Sequence, residues 1–285
     1  MLILKNGKYT VEVLDPSNDL ELLGGRYCRG GQVFQVKDSE GNDLFSGPTY
    51  PEEYNPFDSQ GLPDAFNAYP NLDNAQLGDD IFTVGVGLVK YTNPIETFFA
   101  CDNREVSQAV EWMVQQKDNH LLFECTDSYM GWAYSLRKIL KLSENELKFD
   151  FELKNTGEKI LPVSWFAHPF FFHNKDHGLG KLPIKQEQNL FYEKDSEGKI
   201  YARLPQNYDG AIHNTFAMGQ ALQSSLELNV PYQHDQLPNF NICCRFDVAQ
   251  FPTWFNDKTT SPEPFLIRKL DSGQEMNWGI DYCFS

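Results

Sequence analysis

The stretch 160–177, ILPVSWFAHPFFFHNKDH, sets side chains that can move a proton beside flat apolar rings. Imidazole is the group whose ordinary pKa lies nearest neutrality, so His168 can give or take a proton at physiological pH. The run after the Asn155-Thr156-Gly157 turn is expected to be a strand. Strand parity then puts His168 on one face with Ser164, Phe166, Phe170 and Phe172, and turns Trp165 and Phe171 to the other. An imidazole among aromatic rings suits a ring-shaped ligand, although a histidine in a sheet is more often a core residue bonded to a neighbour. Pro169 biases His168 toward extended backbone and removes a ladder donor just after it. His173 and His177 follow at odd spacing, and a metal site with His168 needs the chain to turn at 173–178. No His-x-His pair supports one, so no metal is expected.

The second candidate is Glu263 in Ser261-Pro262-Glu263-Pro264. Flanking prolines suit a strand end, where a carboxylate is held at the mouth of a groove; a single loop glutamate is more often solvated surface. Gly24-Gly25-Arg26-Tyr27-Cys28-Arg29-Gly30-Gly31 has neither the G-x-G-x-x-G spacing nor the Gly-Lys-Ser/Thr of a P-loop. It reads as glycines that let two strands of the first sheet bend closely past each other. The run 60–66, QGLPDAF, reads as an ordered loop with one buried aromatic.

The elements that must position these groups are strands. In 148–154, Phe149, Phe151 and Leu153 alternate with charged residues; Leu226, Leu228 and Val230 do the same, as do Phe240, Ile242, Cys244, Phe246 and Val248. Turn chemistry separates the runs at Glu40-Gly41-Asn42, Ser143-Glu144-Asn145, Asn155-Thr156-Gly157, Glu197-Gly198 and Asp271-Ser272-Gly273. Such short antiparallel strands predict an all-β sandwich or barrel and not βαβ units. One segment dissents: Val106, Ala109, Val110, Met113 and Val114 sit at helical spacing within 104–117.

Composition narrows the function. Of 285 residues, 24 are Lys or Arg and 40 are Asp or Glu, a net charge of −16 that disfavours sequence-independent nucleic-acid binding and docking on anionic lipid. A local basic cleft stays compatible with that total. No apolar run reaches the ~18 residues of a membrane span, and the start MLILKNGKYT lacks a signal-peptide core, so a soluble cytoplasmic protein is expected. The six cysteines form no CxxC or zinc-ribbon spacing and read as small buried apolar residues. No linker or repeat divides the chain, which reads as one domain over 1–285.

Leu140-Lys-Leu-Ser-Glu-Asn-Glu-Leu-Lys-Phe-Asp-Phe, then Asn155-Thr-Gly-Glu-Lys-Ile-Leu-Pro, then Ala167-His168-Pro-Phe-Phe resembles the galactose mutarotase (aldose 1-epimerase) superfamily. Pro262-Glu263-Pro, Leu270-Asp-Ser-Gly-Gln-Glu and the closing Tyr282-Cys-Phe are similar to its C-terminal strands, so the resemblance spans roughly 130–284. It implies a large antiparallel β-sandwich with few short helices, no cofactor, and interconversion of the α and β anomers of an aldose. Carried over, His168 matches the acid that protonates the ring oxygen and Glu263 the base that takes the C1 hydroxyl proton. Arg26, Asp64, Phe66, Phe170 and Trp254 are the expected sugar contacts, and 104–117 becomes strand. The family's second histidine, in an Asn-x-x-His-Gly-Gly loop, has no match here, nor does its Gly-Arg-Tyr-x-Asn-Arg loop, because Gly25-Arg26-Tyr27-Cys28-Arg29 lies too early. Gly61-Leu62-Pro63 is weakly similar to the Gly-Ile-Pro of hexose-6-phosphate epimerases. A non-catalytic sugar-binding or sensing protein, or a glycan-processing enzyme, stays open beside an epimerase. The expected partner is a small sugar, with no nucleic acid or membrane, and the chain a monomer or homodimer.

Overall fold

A computed structural model of the protein describes residues 1–93, 98, 100, 103–172, 192–194, 196, 200–202, 212–216, 226–230, 239–256 and 258–284. Its strands are numbered in chain order. The largest sheet runs β17 (Leu226–Val230), β18 (Phe240–Cys244), β22 (Glu275–Phe284), β11 (Glu146–Asn155), β10 (Trp132–Leu142), β9 (His120–Tyr129), β8 (Met113–Lys117), with every neighbouring pair antiparallel. Two smaller sheets face it. One runs β21 (Phe265–Leu270), β12 (Leu161–Ala167), β4 (Asp64–Phe66); the other runs β13 (Phe171–Phe172), β20 (Thr259–Pro262), β19 (Phe251–Phe255), β16 (Ile212–Phe216). Three further sheets comprise β1 (Leu2–Lys5), β2 (Thr10–Val13) and β3 (Val33–Lys37); β5 (Asp80–Thr83), β6 (Gly87–Lys90) and β7 (Val106–Ala109); and β14 (Tyr192–Lys194) with β15 (Ile200–Ala202).

Period-two alternation builds the inner face. On β11, Leu147, Phe149, Phe151 and Leu153 are buried while Lys148, Asp150 and Glu152 are not. On β18 the buried set is Phe240, Ile242 and Cys244, which leaves Cys243 on the outer face. Phe151 meets Trp165 of β12 at 4.9 Å between ring centroids, and Trp165 meets Trp278 of β22 at 5.6 Å. Phe171 of β13 lies 5.5 Å from Phe240. The large sheet therefore closes on both smaller ones as a β-sandwich, each large apolar side chain contributing roughly 1.5–3 kcal/mol on burial.

Local periodicity misleads over 104–117. That segment is two strands in different sheets, β7 against β6 and β8 against β9, joined through the buried Trp112. Long-range pairing overrides a helical spacing of only three turns. The 24–31 segment is irregular chain between a one-turn 3₁₀ helix (Leu20–Leu22) and β3, not part of the first sheet, and Gly30 packs against the Trp112 ring. A second such turn spans Leu72–Asn74, and among the described residues no helix is long and apolar enough to cross a membrane.

Candidate active site

β12 stops at Ala167 because Pro169 cannot donate to a ladder. The next two donors turn to the 61–63 segment instead: His168 N–H to the Pro63 carbonyl at 2.9 Å, and Phe170 N–H to that of Gly61 at 2.8 Å. Gly61 has φ +75°, and a Cβ there would sit 2.4 Å from the Val33 carbonyl oxygen, so only glycine lets this segment run close enough to brace the histidine. The expected strand over 160–177 is thus broken at its most functional point. His173 and His177 lie outside the described residues.

Ser261 and Glu263 reach the imidazole from β20 and the residue just past its end. Pro262 pairs with Thr253, and Glu263 N–H donates to the Pro252 carbonyl at 2.8 Å, which fixes the Pro-Glu-Pro corner. Two residues apart in extended chain, Ser261 and Glu263 address the two ring nitrogens. Ser261 Oγ lies 2.6 Å from His168 Nδ1, and Glu263 Oε1 lies 3.4 Å from Nε2. His168, Ser261 and Glu263 are 2%, 0% and 4% exposed, so these contacts act with little screening by water. An Arg26 guanidinium nitrogen stands 3.3 Å from the same Nε2, its plane over the Tyr27 ring at 4.8 Å. Tyr27 in turn meets His168 edge-on at 5.7 Å.

Burial pushes the Glu263 carboxyl up to about 8, against the pull of the Arg26 charge. Its Oε1 accepts no well-aligned hydrogen bond among the described residues. A carboxyl that is neutral at pH 7 beside an imidazole makes a pair that shares one proton. Ser261 bears on where that proton sits. With the shared proton on the ring, His168 is an imidazolium whose Nδ1–H donates to Ser261 and whose Nε2–H is the acid; with that proton on Glu263 the ring is neutral, and while Nδ1–H still donates to Ser261, Nε2 is an acceptor.

Rings enclose the pair. Phe170 lies 4.6 Å, Phe166 5.8 Å and Trp254 6.4 Å from the His168 ring, and Phe166 stacks on Phe265 at 4.4 Å. Arg26, Trp254 and Phe265 are partly exposed and border the buried pair. The structure so brings together five of the expected residues: His168, Glu263, Arg26, Phe170 and Trp254. Asp64 and Phe66 are a correction. On β4 only the middle residue, Ala65, packs with Phe166 and Phe170; Phe66 faces Trp278 in the main core, and the Asp64 carboxylate pairs with Lys138 and accepts from Trp165 Nε1 at 2.9 Å. Strand parity, applied to β4, separates them from the site. Sequence reasoning missed Ser261, although its parity with Glu263 was readable, and Tyr27 and Phe265, which had no local signal. Register also sets His213 of β16 opposite Trp254. Among the described residues no group of three or more metal-ligating side chains converges.

The fold has solved counterparts. A galactose mutarotase related enzyme from Lactobacillus acidophilus is similar over 100% of this chain and 97% of its own, at 14% identity and a TM-score of 0.58. A galactose mutarotase-like protein from Clostridium acetobutylicum matches 99% of this chain and 94% of its own, again at 14% identity and a TM-score of 0.58. No protein-family model and no curated protein sequence matches the chain. It has the galactose mutarotase-like β-sandwich fold, in a strongly divergent sequence.

Proposed function

We propose that the protein is an aldose 1-epimerase-type isomerase, a single domain over 1–285 acting on a small sugar. The observation that carries this reading is the buried His168–Glu263 pair, 3.4 Å apart with Arg26 alongside. The hydroxyl and ring oxygens of a cyclic aldose share one carbon, so an acid and a base this close can address both at once. Once the shared proton has passed to His168, the ionised Glu263 takes the proton of the C1 hydroxyl while His168 delivers the Nε2 proton to the ring oxygen. The C1–ring oxygen bond breaks, the aldehyde rotates, and the two groups exchange roles as the ring recloses on the other face. No proton is gained or lost over the cycle, which needs neither metal nor redox cofactor. Trp254 and Phe265 offer apolar surface to a pyranose, and Arg26 favours the ionised carboxylate.

The test is exchange NMR between α and β anomeric protons, with catalytic amounts of protein and a panel of free and 6-phosphorylated aldoses. Selective acceleration of one sugar, lost in His168→Ala, is the expected result. Tight binding of a sugar without exchange above buffer would replace the enzyme by a sugar-binding protein on the same site.

A further inference from the structure

The sandwich core holds a charge pair that the proton chemistry leaves unused. Lys138 of β10 shares the inner face with Tyr134, Leu136 and Leu140 and is fully buried. Its ammonium contacts the Asp64 carboxylate, donates to the Gly30 carbonyl at 3.2 Å, and lies over the Phe149 and Phe151 rings at 5.5 and 5.2 Å. The other Asp64 oxygen accepts from Trp165 Nε1. Gly31, at φ +68°, lets the chain pass closely, since a Cβ there would come 3.1 Å from Lys138 Cδ.

Taking both charges out of water costs several kcal/mol per ion, and an apolar pair of similar volume commonly gives equal or greater stability. Stability alone is thus a poor account of Lys138 and Asp64. Their partners suggest a better one. Gly30 belongs to the segment that carries Arg26 and Tyr27, and within it Cys28 N–H donates to the Asp64 carbonyl at 2.8 Å. Pro63, next to Asp64, holds the His168 N–H. Trp165 stands three residues before His168 on β12, and β12 pairs Ala167 with Asp64. One ammonium and one carboxylate therefore tie the arginine-bearing loop to the strand end that presents the histidine.

We propose that Lys138 and Asp64 are positioning residues, whose buried pair sets where Arg26 stands against His168 and Glu263. Their effect on anomer exchange rests on the function proposed above; the positioning itself does not. The experiment is a double-mutant cycle read on the ring-¹⁵N resonances of His168. Arg26→Leu is made in the wild-type chain and in Lys138→Met/Asp64→Leu, and each protein is also unfolded with urea. Near wild-type stability is expected for the doubly substituted chain, together with loss of the Arg26→Leu shift at His168. Where the parent catalyses exchange, the rate should fall about 100-fold, as for a catalytic group displaced by ~1 Å. An Arg26→Leu shift of equal size in both backgrounds overturns the proposal, whatever the exchange assay gives. Should the doubly substituted chain fail to fold, Lys138→Met alone is read in the same way. A parent without exchange activity removes the sugar-isomerase reading and leaves the resonance test in force.

Discussion

Glu263→Gln should make the protein more stable and inactive, and the size of the gain should depend on pH in a calculable way. The folded carboxyl is raised from 4.5 to about 8 by burial. Between those values the unfolded chain holds a carboxylate and the folded chain a neutral acid, so folding takes up one proton. The folded state then binds more protons than the unfolded one, and unfolding free energy falls as pH rises. At about 1.4 kcal/mol per pH unit, that loss is on the order of 3 kcal/mol at pH 7 and 4–5 kcal/mol at pH 8, relative to pH 4.5. The substituted amide is close in shape to the neutral acid and does not titrate. Wild type and variant should thus have similar stability near pH 4.5 and diverge steadily to pH 8, with the variant ahead. Urea unfolding of both proteins at unit pH intervals measures the difference, from which titrating groups remote from the His168–Glu263 pair cancel. Parallel stability curves would mean instead that Glu263 ionises in the folded state as it does in the unfolded one. Anomer exchange should be absent in the variant throughout, because an amide cannot accept the C1 proton.

Three further outcomes follow from the same geometry. The exchange rate should fall about tenfold per pH unit above about 8, where the pair gives up its shared proton and His168 has none to donate; a rate that keeps rising to pH 10 contradicts the pairing. Ser261→Ala removes the hydroxyl 2.6 Å from Nδ1 and should lower kcat by about 10–100-fold with little change in KM, while ring-¹⁵N shifts report a changed His168 tautomer; an unchanged tautomer removes Ser261 from the mechanism. Arg26 and Glu263 each lie within 3.5 Å of one nitrogen, so their charges are at most ~7 Å apart. Arg26→Leu should therefore raise the Glu263 midpoint by about 1–2 units, for an effective dielectric between ~20 and ~40. Carboxyl-¹³C titration measures it, and a lowered midpoint is the refuting result.

What the amino-acid sequence reveals depends on whether the deciding force is local. Alternation on β11 and β18 is written residue by residue, because a half-buried strand needs nothing more than apolar and polar side chains in turn. The same logic found His168 with Phe166 and Phe170, and resemblance joined it to Glu263, 95 residues downstream. It failed at 104–117, where four of the five apolar residues at helical spacing belong to strands whose partners lie elsewhere in the chain. Asp64 shows the limit most clearly. Beside Gly61 and Pro63, an acidic residue reads naturally as a ligand of the proposed sugar, and nothing nearby contradicts it. Only the register of β4 on β12 turns its carboxylate inward, and only Lys138, 74 residues away on another sheet, makes that burial tolerable. A lysine placed between Leu136 and Leu140 breaks the apolar alternation of β10, and that breach was the readable sign. A cation set where the pattern demands a hydrophobe needs an anion from some other strand, and in this chain the strand that supplies it also braces the histidine.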